Sequence, residues 1–406
     1  MHNKHAFYVS TLLVAICSAP ALAADWLQFR GSDNSSVAAS ARVPTEFSAD
    51  KNIAWKSPLV GKGVSGPIVV GKKVFVTASS GAVVQDRLHV LCFDADSGKQ
   101  LWHRQFWATG RCFHHPTSAN AAPTPASDGE RVFAFFSSND LVCLDLDGNL
   151  QWYRGLGYDF PKAGNDVGMS SSPVVAGGAV VVQVENQGDS FAAGLDVLTG
   201  ETLWRENRKP SANWASPAIL KDANGKEAVL LQSPGVLTAH EPRSGKQVWK
   251  FDAQCSTIPS ATAVKDRIYL PAKGLTVLEA DASTTSPTLA WESSRLSPGN
   301  SSPVIVGDQV YILARAGVLA CGDIKTGDVH WQHRLAGTFW ATPVVAGEHL
   351  YCVNQDGKCF VVKLGTEKPA DPPVSELGEQ VLSSPALSDN GLFIRTEKHL
   401  WKIAGQ

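Results

Sequence analysis

Residues 110–120 read "GRCFHHPTSAN", and Cys112, His114 and His115 put one soft and two borderline metal ligands within four residues. Asp166, Glu185 or Asp189 could complete such a set, and the chemistry would then be metal-assisted. Adjacent histidines on an extended chain point in different directions, so the competing expectation is an ordered loop whose imidazoles bond to backbone. A second group, Asn165, Asp166, Glu185, Asn186, Gln187 and Asp189, is polar and net acidic. It suits a hydroxyl-rich ligand or a cation, against the alternative of ordinary solvated turns. A third group is aromatic. Trp107 lies in a long connection, and Trp214 and Trp340 each stand three residues before a proline, in "WASP" and "WATP". Their rings suit sugar faces or peptide side chains, or else packing among loops. No Ser-His-Asp order, phosphate loop or recognisable carboxylate pair is present. The Asp-rich turns lack the length and closing glutamate of a calcium loop. Catalytic residues therefore remain unassigned.

The elements that must position these residues are repeats. One phrase recurs as "FDADSGKQLW" (93–102), "LDLDGNLQW" (144–152), "LDVLTGETLW" (195–204), "HEPRSGKQVW" (240–249) and "GDIKTGDVHW" (322–331). Tryptophan follows glycine by four residues at 98/102, 148/152, 200/204, 245/249 and 327/331. Gly98, Gly148, Gly200, Gly245 and Gly327 supply the positive φ of a tight hairpin turn. Trp102, Trp152, Trp204, Trp249 and Trp331, with Trp55 and Trp291, are expected to be structural, each ring filling the gap to the next unit. A second phrase precedes each turn phrase: a small or polar pair, proline, an apolar run, a turn, then β-branched and aromatic residues. Aligning its prolines at 67, 123, 173, 217, 303, 343 and 385, with Ala261 standing in, gives eight copies.

Each copy reads as four short strands with no helical periodicity, which predicts an all-β, eight-bladed propeller of four-stranded antiparallel blades. The last copy, 383–404, is one strand short, and "NIAWKSPL" (52–59) is an orphan strand carrying Trp55. Pairing the two closes the ring. Residues 24–406 thus form a single propeller domain. In such a meander, connections from strand four to the next strand one share a face with the turns between strands two and three. The segments 103–120, 153–170, 184–191 and 207–216 are therefore expected to meet over blades 1–4.

The first 23 residues have a weakly basic start, an apolar run and the small-residue ending Ala21-Leu22-Ala23, the pattern of a cleaved secretory signal peptide. This predicts a periplasmic or secreted protein. No later apolar run is long enough to span a bilayer. Only 18% of residues are charged, the net charge is −2 and no basic cluster appears, which excludes nucleic acid as a partner class. Cys352 and Cys359 in "YCVNQDGKCF" are expected to face one another across a two-residue turn at Gln355-Asp356, either bridged or as a free pair.

These residues resemble the pyrroloquinoline-quinone-like (PQQ-like) propeller repeat, and "DWLQFRG" (25–31) resembles the start of exported members of that family. The resemblance implies kinship with quinone-dependent dehydrogenases and with the periplasmic scaffold of outer-membrane protein assembly. The dehydrogenases carry adjacent cysteines over the quinone; no two cysteines are adjacent here. The expectation is a monomeric binding or scaffold protein that recognises a protein, peptide or glycan through the loop face of blades 1–4, with no assigned cofactor. The alternative is a PQQ-dependent or metal-assisted oxidoreductase with its site on the same face.

Overall fold

A computed structural model describes residues 25–405 except 49, 83, 165, 166 and 390. The leader peptide therefore lies outside the described residues, as do Asn165 and Asp166. Eight antiparallel sheets follow one another along the chain. Blade 1 comprises Ile68–Val70, Lys73–Ser80, Arg87–Asp94 and Gln100–Trp107. Its two middle strands are buried almost throughout while the outermost is largely exposed. That gradient follows from stacking, because inner strands have a blade on both faces.

The ring closes with strands from both ends of the chain. Ile53–Pro58 pairs antiparallel with His399–Ile403 as the outermost strand of blade 8, beside Gly391–Arg395 and Ala386–Ser388. Trp55 then does for the blade 8–1 junction what other tryptophans do elsewhere. Its Nε1 donates to Ala95 O at 3.0 Å. Trp102, Trp152, Trp204, Trp291 and Trp331 likewise donate to Leu146, Val197, Pro242, Ile324 and Gly365 of the following blades. The turn glycine is required for contact as much as for its dihedral. A Cβ on Gly200 (φ +72°) would sit 2.6 Å from Trp152 Cδ2. The repeated phrase is an inter-blade dock.

The structure moves one repeat boundary. Blade 2 starts its inner strand after Pro125, two residues beyond Pro123, because Thr124 is the residue that takes the place of Ser172 and Ser216 in a ring of hydrogen bonds. Gly66 N donates to Thr124 Oγ1, Thr124 N to Ser172 Oγ, Ser172 N to Ser216 Oγ, and Ser216 N to Ser260 Oγ. Ser260 N, Ser302 N and Thr342 N continue the series to Ser302, Thr342 and Ser384. In seven blades a hydroxyl just before strand one thus ties neighbouring blades at the mouth of the channel.

The other end of the channel is crossed by the N-terminal segment. Inner strands present unpaired N–H groups to the axis, and buried donors need acceptors. Trp26 exchanges backbone bonds with Val69 of blade 1, and Leu27 O accepts from Ser127 N of blade 2. Gln28 Oε1 accepts from Val175 N and Asn34 Oδ1 from Ile219 N. The buried Arg30 guanidinium donates to Thr262 Oγ1 at 2.5 Å and Ala261 O at 2.8 Å. Val37–Ala38 adds a parallel strand inside blade 7. The "DWLQFRG" motif is therefore a plug that supplies hydrogen-bond partners to blades 1, 2, 3 and 5.

Two expectations about cysteines are corrected or refined. Cys352 pairs with Phe360 and Cys359 with Val353, so the two cysteines are one register step apart and face opposite sides of blade 7. Asn354 pairs with Lys358, so the turn is the three residues 355–357, one more than expected, and this shifts the register. Both thiols are free and buried, one in the core toward blade 6 and the other toward blade 8. Cys92, Cys143 and Cys321 are buried free thiols opposite Trp102, Trp152 and Trp331.

Candidate binding face

The four unusual connections do come together. Residues 108–120 pack against 156–164 and 167–169: a Cβ on Gly157 would lie 3.3 Å from Gly110 Cα, and His115 N donates to Val167 O at 3.0 Å. The second connection then meets the blade 3 turn, where Lys162 N donates to Asp189 Oδ2 at 3.3 Å. That turn meets the fourth connection through the bridge between Glu185 and Asn213. Trp214 Nε1 reaches back to Gly168 O at 2.8 Å. Trp340 belongs to the connection into blade 7, outside this group; its ring lies under the Arg315 guanidinium and donates to Gln355 Oε1.

The polar candidates divide on burial. Glu185 is internal, with its carboxylate held by Arg208 Nε at 3.0 Å, Gln183 Nε2 at 2.8 Å, Ser233 Oγ at 2.6 Å and Asn213 Nδ2 at 3.0 Å. Its acceptor capacity is spent on tying blades 3 and 4 together, so it is not a ligand group. Asn186 is also fully buried and closes its own turn, accepting from Gly188 N and donating to Asp189 O. Glu185 and Asn186 directly follow Ala179–Val184, a strand buried on both faces, and the polar run "VENQGD" disguised this. Gln187 is exposed and Asp189 half-buried.

The Cys112 loop satisfies itself locally. His114 Nδ1 meets His115 O at 3.0 Å, and His115 Nδ1 meets Thr117 Oγ1 at 2.8 Å. Cys112 accepts from Asn120 Nδ2 at 3.3 Å, and burial, with Asp140 and Asp86 nearby, pushes its thiol up to about 11. It is a protonated thiol at neutral pH. Among the described residues no three His, Cys, Asp or Glu side chains converge where a metal ion could sit.

What the face does offer is apolar surface. Trp107 is 60% and Tyr158 77% exposed, and Phe113, Val167 and Val84 are also open to solvent. Trp107 ends the outer strand of blade 1, Phe113 lies in the connection from blade 1 to blade 2, Tyr158 and Val167 in that from blade 2 to blade 3, and Val84 in the blade 1 turn. Arg87 stacks 5.3 Å from the Trp107 ring and Arg111 5.2 Å from Phe113. The first connection is bound to the propeller beneath by Asp140, which accepts from Thr109 N and Oγ1 as well as from Ser138 Oγ and Tyr153 Oη, and the second by Asn139 Nδ2, which donates to Ala163 O, and Ser137 Oγ, which accepts from Met169 N. Sequence reasoning found Trp107 but missed Phe113, Tyr158 and Val167; their signal was an apolar residue in a connection longer than any turn needs.

Beside this lobe Ser80 Oγ meets His89 Nε2 at 2.8 Å, and His89 Nδ1 meets His103 Nε2 at 2.9 Å. Ser80 borders an open hollow of about 460 Å³. Burial, then His103 and Arg87, pulls His89 down to about 4, which makes it a poor general base at neutral pH. The chain is a satisfied hydrogen-bond relay.

Fold and face together define an eight-bladed propeller of the PQQ-like class with a rigid, partly apolar loop surface. The profile of the family described as "Outer membrane protein assembly factor BamB" matches residues 21–189, 162–254 and 236–368, and the chain belongs to that family. It is similar to BamB of Burkholderia pseudomallei, 25% identical over 88% of this chain and 90% of that protein. BamB of Yersinia pestis is 23% identical over 87% and 78% of the two chains. A shorter match, 25% identical, joins 47% of this chain to 26% of quinate/shikimate dehydrogenase (quinone) of Acinetobacter baylyi. The structure of BamB from Moraxella catarrhalis superposes with a TM-score of 0.56 at 15% identity, covering 89% of this chain and 97% of that one. Quinohemoprotein alcohol dehydrogenase from Comamonas testosteroni superposes with 0.66 at 12% identity, covering 94% and 81%. At such identities the superpositions establish the fold alone. Among the described residues no helix is long and apolar enough to cross a membrane.

Proposed function

We propose that this chain is an envelope scaffold, acting outside the cytoplasm, that docks a protein partner engaged in outer-membrane protein assembly through the loop face of blades 1 and 2. The single observation that carries the reading is that Trp107, Phe113, Tyr158 and Val167 are exposed on, or at the start of, two connections that pack against each other. Aromatic rings and arginine at the centre of an exposed patch are the composition of an interaction hot spot. Arg87, stacked on the Trp107 ring, favours a partner surface that presents apolar side chains flanked by carboxylates. The family's description as an outer-membrane protein assembly factor favours a protein over a glycan as the occupant. The oxidoreductase alternative draws on the superposed dehydrogenase fold and on the shorter sequence match to quinate/shikimate dehydrogenase.

The test is site-specific photocrosslinking in envelopes from position 107 or 158, with mass spectrometric identification of the adduct. Adducts to a component of the outer-membrane assembly machinery, lost in the W107A/Y158A chain when the probe sits at 113, support the reading. Adducts absent from this face, or present equally from blade 5, overturn it.

A further inference from the structure

The seam between blades 8 and 1 is built differently from the rest of the ring. The hydroxyl series around the channel mouth ends at Ser384, because blade 1 has Gly66 where the others have serine or threonine. Arg395, the last residue of the second strand of blade 8, reaches over this seam. Its Nη1 donates to Ser65 Oγ and Thr77 O, each at 2.8 Å. The register of strands one and two puts Thr77, Phe135, Gln183, Gln232, Pro271, Leu313 and Val353 at the equivalent position of the other blades. Blade 8 alone carries a charge there. Gln183 shows that a neutral side chain suffices for an inter-blade tie, since its Nε2 already reaches Gln232 O.

The rest of the guanidinium is unused. Arg395 is 1% exposed, and its Nε and Nη2 have no hydrogen-bond partner. No carboxylate among the described residues pairs with it. A buried cation left without a counter-charge is costly, and removing or adding its partner has large effects. Gly63 leaves room for it: a Cβ there would lie 2.2 Å from Nη2. Arg395 also borders a cavity of about 180 Å³, shared with Lys62, Thr117, Ser118, Ser383 and Thr396. Glu397 stands on the same wall but is exposed, so water screens its charge.

We propose that this cavity binds a carboxylate group, held on the free Nε–Nη2 edge of Arg395 with Lys62 at the rim. The choice of carboxylate follows from what is left of the guanidinium. With Nη1 committed to the seam, the remaining edge offers two parallel N–H donors, the pattern that a planar carboxylate accepts in bidentate fashion. A phosphate dianion would meet a single buried cation and would face Glu397. The volume admits a carboxylate with a few carbons, either a free short-chain acid or the C-terminal carboxylate of a peptide entering the channel mouth. This site is separate from the aromatic lobe and stands or falls independently of it.

The experiment is titration of the purified chain with sodium acetate against sodium chloride at equal ionic strength. It is followed by the Arg Nε–H resonances of 15N-arginine-labelled protein and by Tm. The expected result is a saturable, millimolar-range shift of one buried Nε–H signal and a rise in Tm. Both are absent in R395Q, and binding is about threefold weaker in K62Q, as befits an exposed ion pair. A tripeptide acid and its C-terminal amide distinguish the sources. If the acid binds more tightly than acetate and the amide not at all, the occupant is a peptide terminus; equal binding of acid and acetate points to a free small acid. Because the resonance readout uses the unaltered chain, poor folding of R395Q leaves the test intact. The proposal is overturned if no Nε–H signal responds to acetate beyond chloride, or if phosphate shifts it at tenfold lower concentration.

Discussion

Replacing Gly200 by alanine should unsettle one inter-blade dock by an amount that the geometry predicts in parts. The φ of +72° costs an L-residue about 1 kcal/mol. The new Cβ would stand 2.6 Å from Cδ2 and 2.8 Å from Cε3 of Trp152, so the ring has to move by about an ångström to reach ordinary contact distance. Moving it breaks the 3.1 Å bond from Nε1 to Val197 O, worth about 1 kcal/mol. Re-exposing roughly a third of a buried indole adds about 2 kcal/mol. The expected loss is about 4 kcal/mol. Gly71→Ala isolates the backbone share, since its φ is +55° and nothing lies within 4 Å of the added Cβ; it should cost about 1 kcal/mol. W152A alone should cost about 3–5 kcal/mol. In the W152A background, however, G200A should cost only about 1 kcal/mol, a coupling of about 3 kcal/mol. Urea unfolding followed by far-UV circular dichroism, with amide exchange over blades 2 and 3 as a local check, measures all four corners. Additivity of the two substitutions within about 0.5 kcal/mol would refute the docking account.

Other outcomes follow from the same structure. His89 is held down to about 4 by burial first, then by His103 and Arg87, so the unfolded chain binds the proton more tightly than the folded one. Stability should be full above the ordinary histidine range and fall as pH drops from about 6.5 toward about 4; H89Q should flatten that part of the Tm–pH curve. Glu379 is held down to about 2: burial raises it, but bonds from Thr396, His399 and Lys56 outweigh that. It should add a second loss at pH below about 4.5, absent in E379Q. Arg30→Ala removes a buried donor of two bonds in the plug and should cost about 3 kcal/mol or more. It should also raise amide exchange along the inner strands of blade 5, where a merely local role would leave exchange unchanged. Thiol titration of the native chain should leave Cys352 and Cys359 unreacted, and reductant should leave Tm unchanged; a reductant-sensitive Tm would contradict the free pair.

The sequence by itself determined the ring. Turn glycines at a constant four residues from tryptophan, and prolines in seven of eight phrases, are local requirements repeated around a circle, and such repetition survives in one dimension. The orphan strand with Trp55 was legible for the same reason: an incomplete last copy leaves one strand to be found. Repetition also set which connections share a face. What it could not decide was the fate of the residues that break the repeat. Glu185 and Asn186 look like surface polarity in the chain, yet Arg208 and Asn213, brought from the next connection, bury the first as a tie between blades. Pro123 and Pro125 are equivalent candidates in sequence, and only the hydrogen bond from Gly66 to Thr124 chooses between them. A one-residue difference in turn length sent Cys352 and Cys359 to opposite faces of one sheet. Arg395 is an ordinary strand residue until closure sets it against Gly63, Ser65 and Thr77, more than three hundred positions earlier in the chain. Closure creates contacts between the two ends of the chain, and those have no period for a sequence to reveal.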